Sequence, residues 1–249
     1  MQAKLRCAAL IAGALGLVAP ANAAEVKVLT AGAFKQVVVA LVPNYERQTG
    51  NHVTVDNGTT GELKKRIEGG EAFDIVVITP EVVDQMIASG KVAAGSQVKL
   101  ASVGIGVVVK EGAPKPDIST ADAFKHALLN AKSVGFTAAG ASGAYLKSLF
   151  EKLGITEELQ PKLKLLPGPA GAAVANGEVE VGMTQISEIL PYANAELVGP
   201  LPAEIQSYTH FSAGISAANK DAAAASALIK FLTAPSAATV FKAKGMEQG

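Results

Sequence analysis

The chain has 249 residues, with 22 basic and 22 acidic side chains, no tryptophan and 5% aromatics. A neutral chain without a basic block speaks against nucleic acid or an anionic membrane surface as partner, and scarce aromatics speak against a sugar site built on stacked rings. The single cysteine, Cys7, excludes an internal disulfide and a cysteine metal set.

Residues 1–23 place Lys4 and Arg6 before a short run of small and apolar residues and end in Ala21-Asn22-Ala23. This is the pattern of a secretory signal peptide cleaved after Ala23, which would carry Cys7 away with it. The run is shorter than the roughly 18 residues a membrane span needs, and no other segment reaches that length, so a chain outside the membrane is expected.

From residue 25 the pattern alternates. "EVKVLT" (25–30) predicts a buried strand, and apolar residues at 34, 37, 38, 41, 42 and 45 predict a helix that Pro43 should kink or shorten. "HVTVD" (52–56) predicts a strand, "GTTGELKKRIEGG" (58–70) a turn and helix, and "FDIVVIT" (73–79) a central strand. Thr79 should cap the next helix with Pro80 at its first position, and Gly90 should end it. Three such units in a row imply a parallel sheet with helices on both faces.

"SVGIGVVVKEGAPKP" (102–116) predicts a long strand running into a bend, and 119–131 a helix capped by Ser119 or Thr120. The alternation then restarts: strand "SVGF", helix 143–153, strand "KLKLL", helix 170–176 and strand 179–184. A last extended stretch (208–216) precedes helical segments at 220–232 and 236–244. The long strands 102–109 and 208–216 bracket the second set of units. The expected architecture is therefore α/β with two lobes joined by two crossovers, each lobe a mostly parallel sheet flanked by helices. The expected lobes are 24–103 with 210–249, and 104–209.

In such sheets ligands sit beyond the carboxyl ends of the strands, where helix N-termini point. Here those places are Thr30–Ala33, Gly58–Gly61, Ala138–Gly143 and Met183–Ser187. They are uncharged, and three of the four are rich in Gly, Ala, Ser and Thr. Small residues let a ligand approach the backbone, and unpaired N–H groups favour an anion.

Competing chemistry finds less support. Gly140-Ala141-Ser142-Gly143-Ala144 places a glycine one residue too early for a nucleophile elbow, and His52, His126 and His210 read as structural or solvated, so a secreted serine hydrolase using Ser142 is the weaker alternative. No H-E-x-x-H, calcium-loop or phosphate-loop pattern occurs, so no direct cation site, no cofactor and no enzymatic activity are expected. Thr59, Thr60 and Ser142 are each at a helix start, where a plain N-cap is the simpler reading of any one alone. Together they favour binding.

Several stretches resemble the periplasmic molybdate-binding proteins of ABC importers, and more broadly the bacterial extracellular solute-binding proteins. They are "VLTAGAFKQVV", "NGTTGELKKRIEGGEAFDIVVI", "GASGAYLKSLFEKLGI", "VANGEVEVGMTQISE" and "FLTAPSAATVFKAKGM". The resemblance implies a type II periplasmic binding fold that closes on a small oxyanion, such as molybdate or tungstate, held by hydroxyls and N–H groups. It implies delivery to a permease in the inner membrane, and a monomer. Carried over by position, the contacts are Ala33, Thr60, Ser142 and Gln185, with Pro167 at the weakest-aligned place. With their neighbours the expected ligand set is Gly32, Ala33, Thr59, Thr60, Gly61, Ser142, Gly143 and Gln185. Ala33 stands where the family has serine and Gln185 where it usually has tyrosine. Glu62 brings a carboxylate close to the expected anion. The alternative ligand is a different anion, such as a small organic acid. A role in sensing rather than transport fits the same residues.

Overall fold

The computed structural model describes residues 23–249, so the expected leader lies outside the described residues except for Ala23. Strand β1 (Glu25–Ala31) runs into helix α1 (Gly32–Thr49), whose stripe Phe34, Val37, Val38, Leu41 and Tyr45 is buried. The helix continues through Pro43 rather than ending there. The proline frees the carbonyl of Val39, and Val39 is on the exposed face at 48% accessibility, where water can replace the lost bond. Strand β2 (His52–Gly58), helix α2 (Thr60–Glu68), strand β3 (Ile75–Ile78) and helix α3 (Pro80–Ala88) follow the expected alternation. Thr79 is the N-cap residue of α3 but makes no side-chain capping bond.

Strand β4 (Val98–Lys110) starts earlier than its sequence pattern suggests and leads into α4 (Ala121–Asn130), which Thr120 caps through Ala123 N. Next come β5 (Val134–Thr137), α5 (Ala141–Lys152), the short α6 (Thr156–Leu159), β6 (Leu163–Leu166), α7 (Ala170–Ala175) and β7 (Val181–Gln185). Strand β8 (Ala195–Pro200) is an addition to the expected elements, as is β10 (Glu247–Gln248) at the end of the chain. Between them lie β9 (Tyr208–Ile215), α8 (Ala222–Leu232) and α9 (Ala238–Ala243).

The strands run in the order β2-β1-β3-β9-β4-β7-β5-β6, with β8 and β10 both paired to β4. β1 pairs in parallel with β2 and β3, and β5 pairs in parallel with β6 and β7. β9 and β4 run antiparallel to each other at the centre, from Val98 opposite Ala213 to Gly104 opposite Tyr208. The two long strands are thus the crossovers between a β1–β3 half and a β5–β7 half.

Each half has its own core on both sheet faces. In the first half, Phe34 packs against Phe211 and Phe241 with ring centroids 5.8 Å apart in both pairs, and α8 adds Leu228, Ile229 and Leu232. The opposite face carries Leu63, Ile67, Val83 and Met86 from α2 and α3. In the second half, Phe124, Leu128, Leu146 and Phe150 cover one face and Val174 with its small neighbours the other. Among the described residues no single helix is long and apolar enough to cross a membrane, and the bent pair formed by α8 and the segment Pro235–Ala243 is packed into the first core.

Candidate functional site

The carboxyl ends of β1, β2, β5, β6 and β7 face one cavity of about 350 Å³ between the two halves. Six of the expected ligand residues line it: Gly32, Ala33, Thr59, Thr60, Ser142 and Gln185, and Pro167 joins them. Gly61 and Gly143 do not line it. A Cβ at Gly143 would stand 2.2 Å from the Thr137 carbonyl oxygen, so this glycine lets α5 press against the end of β5.

The four small-residue loops differ in what they offer. The start of α1 at Gly32 and the start of α5 at Ala141 carry no side-chain cap, so their first N–H groups are open toward the cavity. The start of α2 is closed on itself by a capping box. Thr59 N donates to Glu62 Oε2 at 2.8 Å, and Glu62 N donates to Thr59 Oγ1 at 3.2 Å. The Thr59 backbone N–H and hydroxyl hold the Glu62 carboxyl below the usual carboxylate range. The Thr59 N–H is therefore occupied, while Thr60 keeps a hydroxyl on the lining.

Ser142 is 7% exposed, and among the described residues its hydroxyl has no hydrogen-bond partner. Gln185 is equally buried, and its Nε2 donates to Thr209 Oγ1 at 2.7 Å, which fixes the amide and leaves one N–H and the oxygen for other partners. Thr137 Oγ1 donates to Gly168 O at 2.9 Å and ties the Pro167–Pro169 loop to the end of β5. Lys35, one turn into α1, is the one basic side chain on the lining among the described residues.

The residue that the sequence patterns leave unmarked is Glu188. It sits in the 3-10 turn Ile186–Glu188 directly after β7 and lines the cavity. Thr184, fully buried, donates its hydroxyl to Glu188 Oε2 at 2.6 Å. The other oxygen faces the beginning of α1, where a Cβ on Gly32 would come within 3.3 Å of Oε1. Burial pushes the Glu188 carboxyl above its ordinary range, and the Thr184 hydroxyl only partly opposes that. Burial also raises Tyr192 on the same lining, with the Glu188 charge adding to the shift. The available signal was position: a carboxylate in a turn at the carboxyl end of a strand, followed by the buried Ile189. "QISE" otherwise reads as an ordinary solvated turn.

Chemically, the cavity offers two open helix starts, two or more hydroxyls, one amide and one ammonium group to an anion. It also holds two carboxyl groups, Glu62, tied up in the α2 capping box, and Glu188, bonded through one oxygen to Thr184. Among the described residues no group of three or more His, Cys, Asp or Glu side chains could hold a metal ion.

Comparison with known proteins agrees with this architecture. The chain is 32% identical over 250 residues to an aconitate isomerase of a Pseudomonas species, covering 98% of this chain and 95% of that one. It is 30% identical over 250 residues to a molybdate-binding protein of Azotobacter vinelandii, covering 94% of each chain. The solved structure of the Azotobacter vinelandii periplasmic molybdate-binding protein superposes with a TM-score of 0.75 at 20% identity, covering 89% of this chain and 98% of that one. The fold is that of a type II periplasmic binding protein, with two α/β lobes joined by two crossovers. Residues 26–247 match the model of the bacterial extracellular solute-binding proteins, and the chain belongs to that family.

Proposed function

We propose that this chain is a periplasmic solute-binding protein that captures a small organic acid with more than one carboxylate and passes it to an ABC permease. On this reading the leader is cleaved after Ala23. The lobes are 24–103 with 210–249 and 104–209, and they close about the β4–β9 pair.

The observation that carries the reading is Glu188. A tetrahedral metal oxyanion needs donors on every side, and a carboxylate at the cavity wall would repel it. An organic acid has a carbon skeleton between its charged ends, and that skeleton can face Glu188 while its carboxylates take the helix starts. Lys35 supplies one countercharge. Size agrees: a tetrahedral oxyanion displaces ~60–90 Å³, the space of about two to three waters. The cavity of about 350 Å³ leaves room for a larger guest. The aconitate isomerase relative, aligned over 98% of this chain, supports a tricarboxylate such as aconitate as the first acid to test.

A molybdate-type oxyanion is the second reading. The molybdate-binding relative and the free hydroxyls of Thr60 and Ser142 support it.

Titration calorimetry of the purified protein against cis- and trans-aconitate, citrate, molybdate, tungstate, sulfate and phosphate separates the two. Binding of a polycarboxylate and no binding of molybdate or tungstate is expected. Tight molybdate or tungstate binding without any carboxylate binding would overturn the proposal.

A further inference from the structure

We infer that the cleft does chemistry on its guest, with Glu188 moving a proton between two carbons of a bound unsaturated polycarboxylate. This rests on the polycarboxylate reading above and goes beyond it, since in binding Glu188 only disfavours an oxyanion and lies against the carbon skeleton. It also departs from the sequence-based expectation of a protein without catalysis.

The geometry has the parts such a step needs. Thr184 holds Oε2 at 2.6 Å, so the carboxyl group is fixed in orientation by a fully buried hydroxyl. Oε1 remains free at the cavity wall, beside Gly32, and the missing side chain there keeps the space above it open. The enclosure that strips water from the carboxyl group makes it a stronger base than an exposed glutamate. The uncapped starts of α1 and α5 lie on the same cavity, and both favour negative charge.

The proton balance is closed. In an acid of the type –CH2–C(COO⁻)=CH–, Glu188 Oε1 takes a proton from the CH2 carbon. The C–H electron pair becomes the new double bond, and the old double-bond pair shifts toward the far carbon. The charge of this delocalised carbanion spreads onto the adjoining carboxylates, where the α1 and α5 N–H groups can stabilise it. Glu188 then returns its proton to the far carbon and is again a carboxylate. One C–H bond breaks and one forms, so no oxidant, reductant or second substrate is required. The double bond moves by one position, which permits its two carboxylates to exchange between cis and trans.

Thr184 acts through Glu188 and is a positioning residue. Tyr192 lies on the same lining, with its hydroxyl raised by burial and by Glu188, and it is not assigned a step.

The test is proton NMR of cis-aconitate in D2O with the purified protein, following loss of the CH2 signal and growth of the trans isomer. Calorimetry with the same sample reports binding separately. The wild-type protein is expected to exchange and isomerise, and Glu188→Gln to lower the rate per bound molecule by roughly 10²–10⁴, the range of general-base catalysis. Thr184→Val, close in volume to threonine, is expected to lower the same rate about 10-fold, and it serves if Glu188→Gln fails to fold. Binding without exchange would overturn this inference and leave the polycarboxylate reading standing. Absence of aconitate binding would overturn this inference, and absence of binding by any of the polycarboxylates would overturn both. Exchange that persists at the wild-type rate in Glu188→Gln would overturn the assignment to Glu188.

Discussion

Ser142 and Glu188 show how little of a side chain's role its residue type decides. Ser142 is a hydroxyl at a helix start, and its neighbourhood determines what it can do. Among the described residues no histidine lies on the cavity lining to accept its proton, and its own helix start is uncapped, which favours a donor in a cradle over a nucleophile. Its loss is therefore a loss of affinity. Ser142→Ala should weaken binding of the ligand by about 1.5–3 kcal/mol, roughly 10- to 100-fold in Kd, as expected for a hydrogen bond to a charged group. Calorimetry with the ligand that wild type binds would read this directly, and an unchanged Kd would remove Ser142 from the site. Glu62 and Glu188 make the opposite pair. Both carboxylates line the cavity, yet the capping box holds Glu62 charged and occupied, while burial raises Glu188 and leaves one of its oxygens free. The sequence places Glu62 in view because it follows a Thr-Thr-Gly helix start. Glu188 is hidden because a three-residue turn has no periodicity to mark it. Ala33 and Gln185, where the chain departs from the molybdate-binding pattern, are both on the lining, and on the proposed reading they join Glu188 in selecting the guest.

The elements were legible wherever one residue face is buried, because burial writes a period into the sequence. The stripe of α1, the apolar run of β3 and the alternation of β2 all carried such a signal. Strand β8 carried none. It is half-buried over nearly its whole length and pairs only with β4, so neither alternation nor a continuous apolar run appears in Ala195–Pro200. β10 is two residues long and exists only because β4 offers it an edge. Pro43 did not shorten its helix, which runs on to Thr49. Its cost depends on whether the freed carbonyl meets water, and that exposure is a tertiary fact. Gly143 is a related case at the join of β5 and α5. Adding one methyl group there forces a 2.2 Å approach to backbone, which cannot rotate away as a side chain could. Gly143→Ala should thus destabilise the protein by roughly 1–3 kcal/mol, the usual cost of overpacking. A denaturant titration would show it as a lowered midpoint, and a midpoint equal to wild type would mean that the β5–α5 contact is looser than described.

At the scale of the whole molecule, the order of strands explains why the site is where it is. Two parallel sets, β1–β3 and β5–β7, are placed on either side of the antiparallel β9–β4 pair. Their carboxyl ends consequently face each other across one cleft, and loops distant in sequence become walls of a single cavity. This much followed from the alternation of strands and helices and from the two long bracketing strands. The identity of the guest did not follow, because it depends on which carboxylate is free and which is tied, and those are contacts rather than patterns. The central claim is that a polycarboxylate lies across the cleft with its carbon skeleton against Glu188. A crystal structure grown with trans-aconitate tests this most directly. The account predicts carboxylates at the starts of α1 and α5 and a ligand carbon beside Glu188 Oε1. A cleft that excludes the acid, or that holds it with a carboxylate against Glu188 and its carbons turned to the helix starts, would contradict it.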